Sequence, residues 1–278
     1  MNDQRRERIA KVLARAGLCS RREAERWIAA GRVAVDGRVL DSPALNVGPE
    51  ARISVDGKPV AGPAPTRLWR YHKPKGLITS HRDPEGRPTV FERLPADLPR
   101  LISVGRLDIA SEGLLLLTNN GELARHLELP STAWTRRYRV RVHGSVDVAA
   151  LQRLAQGVTI EGVSYGPVEA RLDRVQGANA WITMALKEGK NREVRQLCAH
   201  LGLEVTRLIR LGYGPFQLGD LARGAVEAVP NRVLADQLGG GAARFGIRPS
   251  QPTGRSKPPA RGRPPSRRRD HAHRRRPA

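Results

Sequence analysis

Cysteine is scarce in this chain of 278 residues, and its two cysteines, Cys19 and Cys198, lie far apart. Two cysteines without paired spacing provide neither a disulfide framework nor a four-ligand zinc site. The histidines are scattered, and the closely spaced pair His271 and His273 lies in an Arg-rich terminal segment. We therefore expect a protein of the reducing cytoplasm that holds no metal.

Long hydrophobic runs are also missing. An uninterrupted apolar run such as Leu114–Leu117 is far shorter than the about 20 residues that cross a bilayer as a helix. The first residues are charged, with Arg5, Arg6 and Arg8 around Glu7, which is not the pattern of a signal peptide. The sequence thus predicts a soluble protein without a membrane partner.

Acidic residues are in deficit. There are 27 Asp and Glu against 49 Lys and Arg, giving a formal net charge of +22 and a pI of about 11.4. Half of this charge lies in residues 241–278, which contain twelve Lys or Arg and one Asp. Such an excess favours a polyanionic partner, and nucleic acid is the leading candidate.

The chain divides into four segments by composition. Residues 6–60 form a compact α-α-β module, because Ser20 followed by Glu23 is a capping box before a second helix. Residues 61–66 are a Pro-rich linker, and residues 67–238 form a larger domain. Residues 239–278 are rich in Arg, Pro, Gly and Ser and are predicted to be a disordered basic tail.

The larger domain alternates β-rich runs with a few helices, which predicts an α+β fold with a mixed or antiparallel sheet. The predicted strands cover residues 68–71, 101–104, 114–118, 137–143, 180–186 and 205–209. The predicted helices cover residues 122–127, 147–156 and 192–200. Leu107 and the run Leu114–Leu117 are predicted to belong to the core of the sheet.

Several stretches resemble known families. AKVLARAGLCSRREAE at residues 10–25 and IAAGRVAVDG at residues 28–37 resemble the S4 RNA-binding domain. VGRLDIASEGLLLLTNNG at residues 104–121 resembles the catalytic motif of the RsuA class of pseudouridine synthases. Four further stretches agree with this class in order and spacing, at residues 71–76, 137–142, 188–195 and 208–214. Together the resemblance covers residues 6 to about 235.

The resemblance implies an isomerase of uridine in RNA. The reaction breaks the N-glycosidic bond, turns the base and joins its C5 to the same ribose carbon, so no redox cofactor, nucleotide or metal is expected. By resemblance Asp108 is the essential carboxylate, acting either by covalent attack or by removing a ribose proton. Tyr138 matches the tyrosine that packs against the flipped base, and Arg195, in preference to Arg192, matches the arginine that holds the carboxylate.

Basic residues near these motifs are candidate RNA contacts. Arg106 adjoins the catalytic motif and is placed to fill the space of the extruded uridine or to hold a phosphate, and Arg192 is a second candidate. In the N-terminal module the candidates are Arg15, Arg21, Arg22 and Arg32. The tail is expected to add non-specific, salt-sensitive affinity.

Residues 83–91, the S4-like module and the basic tail together are most similar to the branch of the class that modifies the large ribosomal subunit. We therefore expect 23S rRNA, free or in an assembly intermediate, as the substrate of a monomeric enzyme. Three alternatives remain open at this stage. They are a 16S rRNA synthase of the same class, a non-catalytic S4-type ribosome-assembly factor and a DNA-compacting basic protein.

Overall fold

The N-terminal module packs two helices on short strands. The protein is described from a computed structural model that covers residues 6–247. The elements of the module are β1 (Glu7–Arg8), α1 (Ile9–Arg15), α2 (Arg21–Ala29), β2 (Val33–Val35), β3 (Arg38–Val39), β4 (Asn46–Val47), β5 (Ile53–Val55) and β6 (Lys58–Pro59). Helix α2 begins as predicted, because the Ser20 hydroxyl accepts a hydrogen bond from the Glu23 amide at 3.2 Å. Ile9, Leu13 and Ile28 are fully buried in the small core between the helices and the strands.

The larger domain contains eleven strands and four α-helices within the described residues. Its strands are β7 (Leu68–Lys73), β8 (Ile102–Val104), β9 (Glu112–Thr118), β10 (Arg136–His143), β11 (Val158–Ile160), β12 (Val163–Tyr165), β13 (Val168–Gln176), β14 (Asn179–Leu186), β15 (Glu204–Tyr213), β16 (Phe216–Gln217) and β17 (Val226–Ala228). Its helices are α3 (Gly121–Glu128), α4 (Val148–Arg153), α5 (Glu193–His200) and α6 (Asn231–Leu238). Helix α6 and five strands, β11, β12, β13, β16 and β17, were not expected from the sequence.

One large sheet organises this domain. Its strand order is β13-β14-β10-β15-β9-β7-β17, with β8 on β9 and β16 on β15. All of these pairs are antiparallel except β15 with β9, so the predicted α+β class with a mixed sheet is confirmed. Strands β15 and β9 pair only through Ile209 with Glu112 and Arg210 with Gly113. The two strands therefore pair only at the start of β9, directly after the loop that precedes it.

Strand β9 runs through the core. Leu114 and Leu116 belong to one apolar cluster, whereas Leu115 and Leu117 belong to another. Because successive side chains of a strand point to opposite faces, β9 is covered on both sides. All four leucines are fully buried. The expectation that this leucine run is core rather than functional surface agrees with this packing.

The predicted start of the tail needs a correction. The sequence predicts disorder from residue 239, whereas Gly239–Phe245 forms a 3-10 helix. Ala242, Phe245 and Ile247 are buried against the core of the larger domain, and these apolar side chains within a Gly- and Arg-rich stretch explain why the segment packs. The rest of the predicted tail, residues 248–278, lies outside the described residues.

The end of the predicted linker is also tied to the larger domain. The Thr66 hydroxyl donates to the carbonyl of Phe245 at 2.6 Å, and the Asn119 amide donates to the carbonyl of Pro65 at 2.9 Å.

No helix in residues 6–247 is long and apolar enough to cross a membrane.

Candidate active site

The loop between β8 and β9 carries Asp108, and its backbone is held at almost every residue. The carbonyls that accept hydrogen bonds from outside or within the loop are those of Leu107, Asp108, Ile109, Ala110 and Ser111. At the start of the loop, the Gly105 amide donates to the Glu128 carboxylate at 2.7 Å. A loop with so few free backbone groups has one defined conformation, so the position of its carboxylate is fixed.

Lys73 is the main support of this loop. Its side chain is fully buried at the end of β7, and its ammonium donates to the carbonyls of Asp108 at 3.1 Å and Ser111 at 2.8 Å. A third hydrogen bond goes to the carbonyl of Pro74 at 3.1 Å. Burial lowers the pKa of Lys73 to about 8, against the opposing attraction of Asp108 and Glu112. Lys73 was not predicted from the sequence as a site residue, although it lies in the stretch at residues 71–76 that resembles the family.

A cleft of about 790 Å³ opens beside the loop. Asp108, Arg106, Tyr138 and Arg192 all line it, so the structure brings together four of the residues proposed from sequence. The Asp108 side chain is 36% exposed, which leaves its carboxylate accessible from the cleft. A volume of this size is within the roughly 300–1,000 Å³ of pockets that bind small ligands. The carboxylate is therefore neither sealed in the core nor turned away from the other candidate residues.

The two candidate arginines make different contacts, and both are within electrostatic reach of Asp108, whose charge opposes the lowering of the Arg195 pKa by burial. Nη1 of Arg192 lies 3.9 Å from Oδ2 of Asp108, whereas Arg195 donates to the carbonyls of Ala110 and Val205, both at 3.3 Å. Helix α5 begins at Glu193, so Arg192 precedes the helix and has a left-handed φ of 51°. Arg192 and Arg195 therefore do not share a helical face. Arg192 is the ion-pair partner in this structure, and Arg195 supports the loop.

Tyr138 lies on β10 and is only 9% exposed. Its partner in the neighbouring strand is Arg210 of β15. Arg210, Arg136 and Tyr213 line the same cleft. The guanidinium of Arg136 donates a hydrogen bond to the Tyr213 hydroxyl at 3.0 Å. The guanidinium groups of Arg136 and Arg210 also lie over the Tyr213 ring, at 4.7 and 5.1 Å from its centre. Neither arginine was predicted from the sequence as a site residue, although Arg210 lies in the stretch at residues 208–214 that resembles the family.

Two further carboxylates near the cleft have different environments. Glu193 is buried and lines the cleft, and burial raises its pKa. Burial also tends to raise the pKa of Glu112, but the Arg207 and Arg223 guanidinium groups outweigh this effect and lower it. Glu112 is therefore a structural anion with two cationic partners at the start of β9, directly after the candidate catalytic loop (residues 105–111).

The four arginines proposed as RNA contacts in the N-terminal module are not equivalent. Arg32 forms a two-pronged ion pair with Asp56 at 2.9 and 2.5 Å, and Arg15 pairs with Glu7 at 2.6 Å. Arg21 and Arg22 are exposed, and neither forms an ion pair within residues 6–247. Arg21 and Arg22 thus present more available charge than Arg15 and Arg32.

A second cleft of about 750 Å³ lies between the N-terminal module and the larger domain. Its cationic lining residues are Lys11, Arg15, Arg21, Arg100, Arg125 and Arg244. Glu122 is the acidic residue in its lining, and it forms an ion pair with Lys11 across the two modules. Arg125 also lines the cleft that contains Asp108, so the two clefts adjoin at this residue. In the described part of the chain, no group of three or more His, Cys, Asp and Glu is arranged to hold a metal.

Comparison with known proteins identifies the family of this chain. The profile of the RNA pseudouridylate synthase family matches residues 67–200, and that of the S4 domain matches residues 7–53. An uncharacterized RNA pseudouridine synthase of Rickettsia prowazekii (strain Madrid E) is 45% identical over 231 residues, covering 83% of this chain and 97% of the relative. The ribosomal large subunit pseudouridine synthase B of Pasteurella multocida (strain Pm70) is 45% identical over 228 residues, covering 80% of this chain and 66% of the relative.

The fold is also found among solved structures. A crystal structure of a pseudouridylate synthase matches with a TM-score of 0.58 and 24% sequence identity, covering 83% of this chain and 99% of that one. At this identity the likeness shows the shared fold alone, while the sequence relatives show the family. The chain therefore belongs to the RsuA class of RNA pseudouridine synthases, isomerases that act on RNA, and carries an S4 domain at its N-terminus.

Proposed function

We propose that this enzyme isomerises a uridine of 23S ribosomal RNA to pseudouridine, with Asp108 as its essential carboxylate. The observation that carries the proposal is the placement of Asp108. Its carboxylate stands on a loop in which the carbonyls of residues 107–111 are all bonded, and it faces a cleft that Tyr138 and Arg192 also line. A preorganised carboxylate in a cleft of nucleoside size is what cleavage of a glycosidic bond requires.

The residues around the carboxylate have separate tasks in this proposal. Arg192 pairs with the carboxylate and orients it, while Arg195 acts as a positioning residue through the Ala110 carbonyl. Tyr138 packs against the extruded base, and Arg106, which is exposed at the cleft, holds a flanking phosphate or occupies the vacated stack. Asp108 then acts at the ribose, by attack on C1′ or by removal of the C2′ proton.

The RNA strand is proposed to continue from the active site into the second cleft. Arg125 lines both clefts, and the cations beyond it include Arg15 and Arg21 of the S4 domain. Phosphate contacts of this kind give affinity and register without reading sequence. The exposed Arg22 extends the same basic surface, whereas Arg32 becomes available only if its ion pair with Asp56 opens.

The choice of the large subunit rests on the relatives. Those of Pasteurella multocida and Escherichia coli O157:H7, at 45% and 44% identity, are ribosomal large subunit pseudouridine synthases B. The proposed enzyme is a cytoplasmic monomer that acts on rRNA without a cofactor. Pseudouridine mapping of both large rRNAs from cells with and without this protein tests the substrate. Loss of a site in 23S rRNA is expected, and loss only in 16S rRNA would assign the chain to the small-subunit branch instead.

The role of Asp108 is tested by separating binding from chemistry. We expect Asp108→Asn to bind the rRNA fragment within about threefold of the parent, because one surface charge contributes little to a contact made by many cations. Isomerisation in the same preparation is expected to fall below detection, as measured by chromatography of the digested RNA.

Asp220→Asn is the matched control, because Asp220 is exposed and lines neither cleft. It should leave both binding and isomerisation unchanged. Full isomerisation by Asp108→Asn would refute the mechanism. A parent protein that binds rRNA but never forms pseudouridine would favour the alternative of a non-catalytic assembly factor.

A further inference from the structure

Three cations are buried at the catalytic end of the large sheet. The side chains of Lys73, Arg136 and Arg210 are 0%, 9% and 2% exposed. Within residues 6–247, none of the three has a carboxylate within ion-pair distance, whereas Arg192 and Arg207 each have one. Removing an unpaired cation from water costs several kcal/mol per ion. This surplus of buried positive charge therefore suggests an anion that arises in the cleft during the reaction.

Arg210 differs from the other two cations in its unused hydrogen-bonding capacity. Lys73 donates to three carbonyls, and Arg136 donates to two carbonyls and the Tyr213 hydroxyl. Arg210 donates through Nε to the carbonyl of Leu114 at 2.7 Å, but its Nη2 is buried without any partner. The guanidinium is thus held firmly while part of its charge and donor capacity stays unsatisfied.

The position of Arg210 places this charge at the centre of the site. It is the strand partner of Tyr138 on one side and of Gly113, at the end of the catalytic loop, on the other. Its side chain forms part of the wall of the cleft that holds Asp108. The same guanidinium lies 5.1 Å from the ring centre of Tyr213. A cation on a buried wall acts through a low effective dielectric, so its field is strong even without direct contact.

The chemistry of the reaction supplies the missing anion. When the bond between C1′ and N1 breaks, its electron pair stays on the base, and the ribose carbon becomes electron-deficient. The detached uracil then carries one negative charge, shared between N1 and the two carbonyl oxygens. When C5 later bonds to C1′, the electron pair forms the new bond and the ring becomes neutral. The proton on C5 then leaves to a base and N1 takes up a proton, so the isomerisation neither gains nor loses a proton. Between cleavage and formation of the new bond, the uracil therefore carries a full negative charge.

We propose that Arg210 stabilises the uracil anion formed on cleavage of the glycosidic bond, and that this is why an unpaired guanidinium is buried beside Tyr138. The proposal rests on the proposed function, and it assigns to Arg210 a role distinct from that of Asp108. Asp108 acts at the ribose, whereas Arg210 lowers the energy of the leaving base. Removal of a preorganised electrostatic group of this kind typically costs about 100- to 1,000-fold in rate.

The test compares two leaving groups. RNA with 5-fluorouridine at the target position carries a base whose anion is intrinsically more stable, so its departure depends less on an external cation. Single-turnover consumption of the target nucleoside is measured for both RNAs with the parent, Arg210→Met and Arg210→Lys. We expect Arg210→Met to reduce the single-turnover rate on uridine RNA by about 100-fold or more. The reduction on 5-fluorouridine RNA should be at least tenfold smaller than the reduction on uridine RNA. Arg210→Lys should show a ratio of the two rates close to that of the parent.

The ratio of the two rates is measured within one preparation, so a partly misfolded variant does not distort it. Arg171→Met is the control for loss of one positive charge, because Arg171 is 80% exposed and lies outside the cleft. Equal losses of Arg210→Met on both RNAs, or no loss at all, would overturn the proposal. If Arg210→Met does not fold, Arg210→Gln replaces it: a larger loss of rate on uridine RNA than on 5-fluorouridine RNA supports the proposal, and equal losses on both RNAs oppose it. An inactive parent would instead refute the proposed function.

Discussion

At the scale of single residues, the site depends on side chains that hold the backbone rather than the substrate. Lys73 and Arg195 together bind the carbonyls of three residues of the catalytic loop, and Thr79 binds Leu107 through both its amide and its carbonyl. Because these groups are buried, breaking one bond leaves an unsatisfied polar atom, which costs about 1–3 kcal/mol. The carboxylate of Asp108 is therefore positioned by residues that need not touch RNA.

Lys73 should make the stability of the protein depend on pH. Its pKa is about 8 in the folded protein against an ordinary value of 10.5, because burial disfavours the charged form. The cost of burying the charge is present in full below pH 8 and is relieved as the pH rises from 8 to 10.5. We expect the free energy of unfolding of the parent to rise by about 3 kcal/mol across this window, relative to Lys73→Met.

Urea unfolding at several pH values within this window measures the effect. Lys75→Met is the control, because Lys75 is exposed in the same short stretch and should leave the pH dependence of the parent unchanged. If the free energies of unfolding of the parent and of Lys73→Met differ by the same amount at every pH in this window, Lys73 is not buried as a cation.

At the scale of elements, the contact between β9 and β15 brings the end of the loop that carries Asp108 against the strand of Arg210. The two strands pair at only two positions, and one of them is Gly113 opposite Arg210. A Cβ on Gly113 would lie 2.3 Å from the carbonyl oxygen and 2.7 Å from the amide nitrogen of Arg210. The glycine, with a φ of 106°, thus allows the catalytic loop and the strand of Arg210 to approach closely.

Gly113→Ala should therefore be much more harmful than an alanine elsewhere in the loop. Gly105 also has a positive φ, of 66°, but a Cβ there meets nothing within 4 Å. We expect Gly105→Ala to cost about 1–2 kcal/mol from backbone strain alone, and Gly113→Ala to cost on the order of 4 kcal/mol or more because strand pairing is also lost. Chemical unfolding measures both values, and similar small losses would contradict this account of the strand junction.

At the scale of the whole molecule, the S4 domain is joined to the catalytic domain by few polar contacts. Lys11 of α1 pairs with Glu7 at 2.5 Å and also with Glu122, which lies in the first turn of α3. The cleft beside this contact is strongly basic, so the two domains repel one another where RNA is proposed to bind. A carboxylate at the junction offsets this repulsion.

Reversal of that one charge should separate the domains. Glu122→Lys places a cation beside Lys11, and we expect a larger radius of gyration in small-angle X-ray scattering, with a further increase at low ionic strength because repulsion is screened less. Glu25→Lys is the control, since Glu25 is an exposed residue of α2 without an ion pair in residues 6–247. An unchanged radius in Glu122→Lys would mean that other contacts hold the domains together.

The sequence predicted most of the catalytic fold and part of the site. Helix α2 begins where the Ser20 cap requires, and Asp108, Tyr138, Arg106 and Arg192 line one cleft as a set. It did not predict the packed segment 239–247, because the three apolar residues there are isolated in an otherwise polar composition. The preference for Arg195 over Arg192 at the carboxylate stays a prediction, because Arg192 lies at ion-pair distance from Asp108 while the charge of Asp108 also acts on Arg195.

By itself, the sequence determined the family and predicted the reacting carboxylate, because the residues that indicate both lie in contiguous stretches. Only the tertiary structure decided which cations surround that carboxylate. Arg210, Lys73 and Tyr138 lie on β15, β7 and β10, and they meet because hydrogen-bonded pairing brings distant strands to one end of a sheet. Burial, and with it the strength of each charge, follows from that packing and is not a property of any single stretch of sequence.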